Sequence, residues 1–303
     1  MRKSLFLRAA ALAVALVCLA HLTIAQRPAP ADVRVQQIKL RPVRMPATPV
    51  TLKILRPKFE LDNKPEVDLR DEAKSLGVYA VRAQGSRNTC SVFAMTFLID
   101  FMSAKHFNVK NADYSEEFLN LASNLAIGEK VDGGFFDALD LGYQKYGDVS
   151  EATAPYQATF NPDLAYRPAT MQYAASLSPR LKPHFIKEWD VNTGLQPSQL
   201  LGIIFQLKAG RPVAAGLRWP KQGKFKTDTV LGVTMMTAPP ASDVFDGHSI
   251  DFVGYKVSDS FPGGGYLIFR NSWGNSFMED GYGYMSFDYA KKYTNDAVEY
   301  VLP

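Results

Sequence analysis

Gln84-Gly85-Ser86-Arg87-Asn88-Thr89-Cys90-Ser91-Val92-Phe93-Ala94 is polar and glycine-containing up to Cys90 and apolar after it, running on through Met95-Thr96-Phe97-Leu98-Ile99-Asp100-Phe101-Met102. The first half predicts a loop. The second predicts a buried helix from Cys90 to about Lys105. A cysteine at such a junction lies beside unpaired backbone amides and the positive end of the helix dipole, a setting that favours an anion. It also eases a thiol towards its nucleophilic thiolate. The competing reading is a small core cysteine, since free cysteines are among the most buried residues.

Composition sets the frame. With 303 residues, 47% of them hydrophobic, the chain can bury a large core in one or two domains. A net charge of +4, with no basic stripe interleaved with aromatics, gives no case for nucleic acid. The second cysteine, Cys18, falls in the N-terminal apolar run, so a processed chain keeps Cys90 alone and an intrachain disulfide framework is ruled out.

Met1-Arg2-Lys3 followed by the apolar Leu5–Leu22 and Thr23-Ile24-Ala25 has the order of a secretory signal, expected over residues 1–25. It predicts a secreted or periplasmic protein that is free of the membrane once the signal is removed. Residues 26–63 hold Pro28, Pro30, Pro42, Pro46, Pro49 and Pro57 and more basic than acidic residues, which reads as a basic linker or a short pro-segment. The globular part is expected over 64–303. Ser115 followed by Glu116-Glu117 opens a second helix, and Asp132-Gly133-Gly134 breaks the chain before a third that runs through Phe135–Tyr143. Thr153–Pro183 reads as loop with short elements, and Ser198–Leu207 as helix. Strand candidates then follow at Arg211–Leu217, Ser249–Tyr255, Gly265–Phe269 and Gly283–Phe287. Helices followed by antiparallel strands predict an α+β chain of two lobes, one helical and one a sheet or barrel, with a cleft between.

A thiol nucleophile needs a base. His21 falls in the signal, His106 reads as surface and His184 as polar loop. His248 lies in Asp246-Gly247-His248-Ser249-Ile250, where a turn feeds a strand and holds the ring on a rigid element. Asn271, in Arg270-Asn271-Ser272-Trp273-Gly274, can accept from an imidazole N–H and fix its tautomer, while Trp273 shields that bond. Gln84 offers a side-chain amide that, with the Cys90 N–H, can hold a developing oxyanion.

Taken in order, Gln84-Gly85-Ser86-x-x-x-Cys90, Gly247-His248 running into Val253-Gly254-Tyr255, and Asn271-Ser272-Trp273-Gly274 running into Gly281-Tyr282-Gly283 resemble a papain-family cysteine peptidase from about Pro65 to the C-terminus. Pro65-x-x-Asp68-Leu69-Arg70 is similar to the start of the mature enzymes. The resemblance implies the papain-like two-lobed fold, Cys90 as nucleophile, His248 as base and later acid, Asn271 as its orienter and Gln84 in the oxyanion hole. It also implies Gly133 and Gly134, with Gly247 and Trp273, as substrate-binding positions. It calls for a peptide or protein substrate and no metal or organic cofactor; no feature fixes an oligomeric state.

The departures are specific. Arg87 replaces a cysteine, Ser91 replaces the aromatic after the nucleophile, and Leu69 stands where tryptophan is common. No segment ahead of the domain has the length and periodicity of the usual helical propeptide. His248 and Asn271 lie further from Cys90 than the family spacing, which implies an insertion within Thr153–Lys187 or Arg218–Ala241. Two other uses of the same cleft stay open: a catalytically weak or inactive peptide-binding module, and acyl transfer to an amine.

Overall fold

The structure, a computed structural model, describes residues 64–177 and 180–303. The expected signal (1–25) and basic arm (26–63) lie outside the described residues. The chain begins with β1 (Glu66–Asp68) and α1 (Arg70–Leu76), then α2 (Cys90–His106), α3 (Glu116–Ile127), α4 (Phe136–Tyr146) and α5 (Pro168–Ser176). There follow β2 (Lys182–Lys187), α6 (Pro197–Lys208), β3 (Val213–Pro220), β4 (Thr227–Val230) and β5 (Val233–Met236). The last elements are β6 (Val244–Val257), β7 (Gly265–Arg270), β8 (Tyr282–Ser286), α7 (Phe287–Tyr293) and β9 (Thr294–Val301).

The strand order is β2-β9-β3-β6-β7-β8-β5-β4, with β1 added to β6. All pairings are antiparallel except β5 with β8, which run parallel. The sheet is therefore mixed and open, not a wholly antiparallel barrel, because β2 and β4 at its two ends do not pair. Helices followed by a large sheet bear out the α+β class. The long strand β6 is central, bonded to β3 and β7, and it carries His248.

Helix α2 is mostly apolar and buried all round, Ser91 to Ala104 without a break. Such a helix can only be a core element. Its side chains join those of the sheet in one continuous apolar cluster that runs from Leu98 and Phe101 to Phe252, Phe269 and Val298. A smaller cluster of Phe118, Ala122, Val149, Ala154 and Ala174 lies beneath α5. Ser115 caps α3 by accepting from the Phe118 N–H at 2.9 Å, and Gly128 ends it in the left-handed region. The two segments in which an insertion is expected hold α5 and the β4–β5 hairpin respectively. Among the described residues no helix is long and apolar enough to cross a membrane.

Candidate active site

Cys90 opens α2, directly after Thr89. The Thr89 side chain does not cap the helix; its hydroxyl bonds to the Tyr156 hydroxyl at 2.6 Å, so the first amides of α2 keep their N–H groups for other acceptors. Across from it, Gly247 takes φ +114°, which few other residues adopt, at a bulge within β6: Leu217 pairs with His248 and Arg218 with Asp246, so the turn expected ahead of His248 is part of the strand itself. Cys90, Gly247, His248, Ser249 and Gly134 line one cavity of about 150 Å³ with Phe135, Trp189 and Leu217. The Cys90 Sγ lies 4.0 Å from the Gly247 carbonyl.

His248 is 5% exposed and Asn271 1%. The Asn271 Oδ1 accepts from the Ser272 backbone N–H at 2.8 Å and sits 2.8 Å from the His248 Nε2. The backbone amide can only donate, so the atom it meets is the carbonyl oxygen, and Nε2 must carry the proton of that second bond. The neutral ring is thereby held with Nδ1 unprotonated, as the basic atom of the pair. The Asn271 Nδ2 stays buried without a protein partner among the described residues. Trp273 packs on the imidazole at 4.8 Å between centroids, as expected, yet is itself 40% exposed. The deeper cover is Trp219, 3% exposed and 4.6 Å from the same ring.

Gln84 does not line the cavity, but both ends of its amide are fixed. Oε1 accepts from the Ser272 hydroxyl at 2.6 Å, and Nε2 donates to the Arg87 carbonyl at 2.7 Å, which leaves a second N–H on Nε2. Its backbone N–H donates to the Ser272 carbonyl at 2.9 Å, Ala83 bridges Trp273, and the Gly274 N–H reaches the Arg82 carbonyl at 3.3 Å. The segment bearing Gln84 is thus stitched antiparallel to the turn bearing Asn271. Gly133 also stands back from the cavity. Its φ is +90°, and a Cβ there would fall 2.0 Å from the Asn88 carbonyl oxygen. Its neighbour Gly134 does line the cavity, with its N–H 3.4 Å from the Ser91 hydroxyl.

Burial pushes the Cys90 thiol up, against hydrogen bonding from Ser249 and the amides of Ser91 and Cys90. The helix amides act in the direction the sequence predicts, and the loss of water outweighs them. Burial also lowers His248 to about 4, against its bond to Asn271. In each case burial disfavours the group's own charged form.

Reasoning from sequence missed Trp219, the anchoring role of Ser272, and an acid that lines the cavity, Asp296, whose Oδ1 accepts from the Gly216 N–H at 2.8 Å. It missed Tyr156 too, whose hydroxyl donates to the Gln84 carbonyl at 2.9 Å. Only Ser272, between Asn271 and Trp273, carried a local signal. Among the described residues no group of acidic, histidine and cysteine side chains is placed to hold a metal ion.

Residues 64–300 match the family model described as papain family cysteine protease. No curated protein sequence matches the chain. Among solved structures, the chain is similar to xylellain, a cysteine protease from Xylella fastidiosa, at 20% identity and a TM-score of 0.58, over 79% of this chain and 87% of that one. It is also similar to digestive procathepsin L 3 of Tenebrio molitor larval midgut, at 21% identity and a TM-score of 0.54, over 79% and 70%. The ragweed pollen allergen Amb a 11, a cysteine protease solved in its proform, aligns at 18% identity with a TM-score of 0.55, over 79% and 67%.

Proposed function

The chain belongs to the papain family of cysteine proteases, and on that premise we propose that it hydrolyses peptide bonds through an acyl-enzyme thioester on Cys90. His248 Nδ1 takes the thiol proton as Sγ attacks the peptide carbonyl. The developing oxyanion receives the second N–H of Gln84 Nε2 and the Cys90 amide. His248 then passes its proton to the leaving amine, whose C–N bond breaks to leave the thioester. Water attacks the thioester with His248 as base, and the carboxylate departs as Cys90 regains its proton. No metal or organic cofactor enters any step. The apolar start of the chain supports export of the mature enzyme.

The observation that carries this reading is the fixed imidazole: Asn271 holds Nε2–H, so the basic nitrogen belongs to the cavity that Cys90 shares. Cys90→Ala is expected to abolish cleavage of a peptide library, and residual cleavage at the wild-type rate would exclude the mechanism.

One observation favours the second reading, a peptide-binding cleft with weak catalysis. Burial works against both charges of the pair. Iodoacetamide labelling of the mature protein from pH 4 to 10 separates the two. Labelling that persists well below pH ~7 and is lost in His248→Ala supports the peptidase. One step at or above the free-thiol value of ~8.5 in both proteins supports the binding module.

A further inference from the structure

Arg87 is polar, long and charged, yet its side chain is only 3% exposed. It stands between the loop that delivers Cys90 and the loop that delivers Gly134. Its Nε and Nη2 donate to the Asp132 Oδ1 at 3.0 and 2.8 Å, and the other oxygen of Asp132 accepts from the Asn88 backbone N–H at 3.3 Å. Nη1 donates to Glu117 Oε2 and, at 2.8 Å, to the Gln157 carbonyl. The Gln157 N–H returns to the same Glu117 oxygen at 3.1 Å. The Arg87 Cζ lies over the Tyr156 ring, 4.6 Å from its centre. Tyr156 in turn holds the Gln84 carbonyl and the Thr89 hydroxyl. The Arg87 carbonyl itself accepts the Gln84 side-chain amide.

From this arrangement we propose that Arg87 is a positioning residue: its guanidinium fastens the Gln84–Cys90 loop to the Asp132–Gly134 loop and so sets the Gln84 amide and Cys90 in register with Gly134 across the cavity. The proposal rests on the peptidase reading above. Position 87 is where the resembling sequences carry a cysteine, and Cys90 is the sole cysteine among the described residues, so ion pairing does here what a covalent link cannot. Two carboxylates face one guanidinium. Burial opposes the arginine's charge, but the hydrogen bonds and charges of Asp132 and Glu117 more than offset it. The fork geometry is required. Lysine has a single point of charge and cannot reach Asp132, Glu117 and Gln157 together.

The test compares Arg87→Met, Arg87→Lys and a control, Arg180→Met, whose hydrogen bonds go to the carbonyls of Tyr143, Ala174 and Ala175. With a fluorogenic peptide, Arg87→Met is expected to lower kcat about 10- to 100-fold and to raise KM as the Gly134 loop is released, since misplacement by about 1 Å costs that much. Cys90 alkylation at pH 6 falls alongside. Arg87→Lys recovers part of the loss, and Arg180→Met lowers Tm with kcat unchanged. A folded Arg87→Met enzyme with wild-type kcat overturns the proposal. If that variant does not fold, Asp132→Asn decides: a drop in kcat of about 3- to 10-fold supports the proposal and an unchanged value overturns it. Should the wild type turn over no peptide, alkylation alone is read. Its fall in Arg87→Met keeps the positioning role while the peptidase reading fails; no change removes the positioning role.

Discussion

Ser272 anchors two side chains of the candidate site. Its amide orients Asn271, and its hydroxyl orients Gln84. Replacing it with alanine keeps the amide and removes the hydroxyl, so the His248 tautomer stays fixed while Gln84 Oε1 loses its donor. Ser272→Ala is expected to lower kcat about 10-fold, with KM and the pH dependence of Cys90 alkylation unchanged, because one anchor of an oxyanion donor is loosened and the acid–base pair is not touched. Asn271→Ala differs in kind: it should alter the alkylation profile. At this scale the candidate nucleophile, base, orienter and oxyanion amide were all legible, since each sits in a short run whose residue types name its chemistry. Trp219, Tyr156 and the partners of Arg87 were not. Each becomes part of the site only when strands or loops far apart in sequence meet, as Arg87 meets Asp132 and Gln157.

The elements that build the two walls differ in how openly the chain declares them. α2, α3, α4 and α6 are announced by local caps, breaks and apolar periodicity, and β3, β6, β7 and β8 by short apolar runs between turns. β9 gave no such signal, because Thr294-Asn295-Asp296-Ala297-Val298-Glu299 reads as polar. Its acids are matched by partners from elsewhere: Glu299 by His184 and Arg211, and Asp296 by the Gly216 amide. Long-range pairing made a buried strand of what looks like surface. The same dependence on close approach explains Gly133, which the sequence marks as a break and the structure uses as a contact. Gly133→Ala would need both a positive φ and room that the Asn88 carbonyl already occupies. It is expected to cost more than about 1 kcal/mol of stability in urea unfolding. It should also raise KM, as Gly134 is carried away from the cavity, whereas alanine at the open position Gly223 leaves KM unchanged.

The whole molecule keeps its ionisable groups in an arrangement that makes stability depend on pH in the direction opposite to that of ion-paired surface carboxylates. Behind the Gln84 segment, Arg82 faces Asp100 at 3.2 Å, Glu116 at 2.7 Å and Asp113 at 2.7 Å, with Glu151, Asp148 and Arg270 also acting on the cluster. Arg82 and Arg270 do not balance the buried acids. Burial raises Asp100 to about 7 and Glu116 to about 8, and it raises Asp148 well above the carboxylate range. In the unfolded chain these groups lose their protons near pH ~4. Between that value and pH ~7–8 the folded state binds more protons than the unfolded one, so stability is fully present in acid and is lost as pH rises through the folded values. His248 acts oppositely. Lowered to about 4, it removes stability as pH falls from ~6.5 towards ~4. Several acids outweigh one histidine, so Tm measured by calorimetry should decline between pH ~5.5 and ~8, by an amount equivalent to a few kcal/mol. Glu116→Gln removes the largest pH-dependent partner of Arg82 without removing its bulk, and should flatten that decline while lowering Tm at pH ~5 little. A wild-type Tm that rises from pH ~5.5 to ~8 would show instead that Arg82 holds these acids ionised, and that the helical wall of the cleft is most stable in neutral solution.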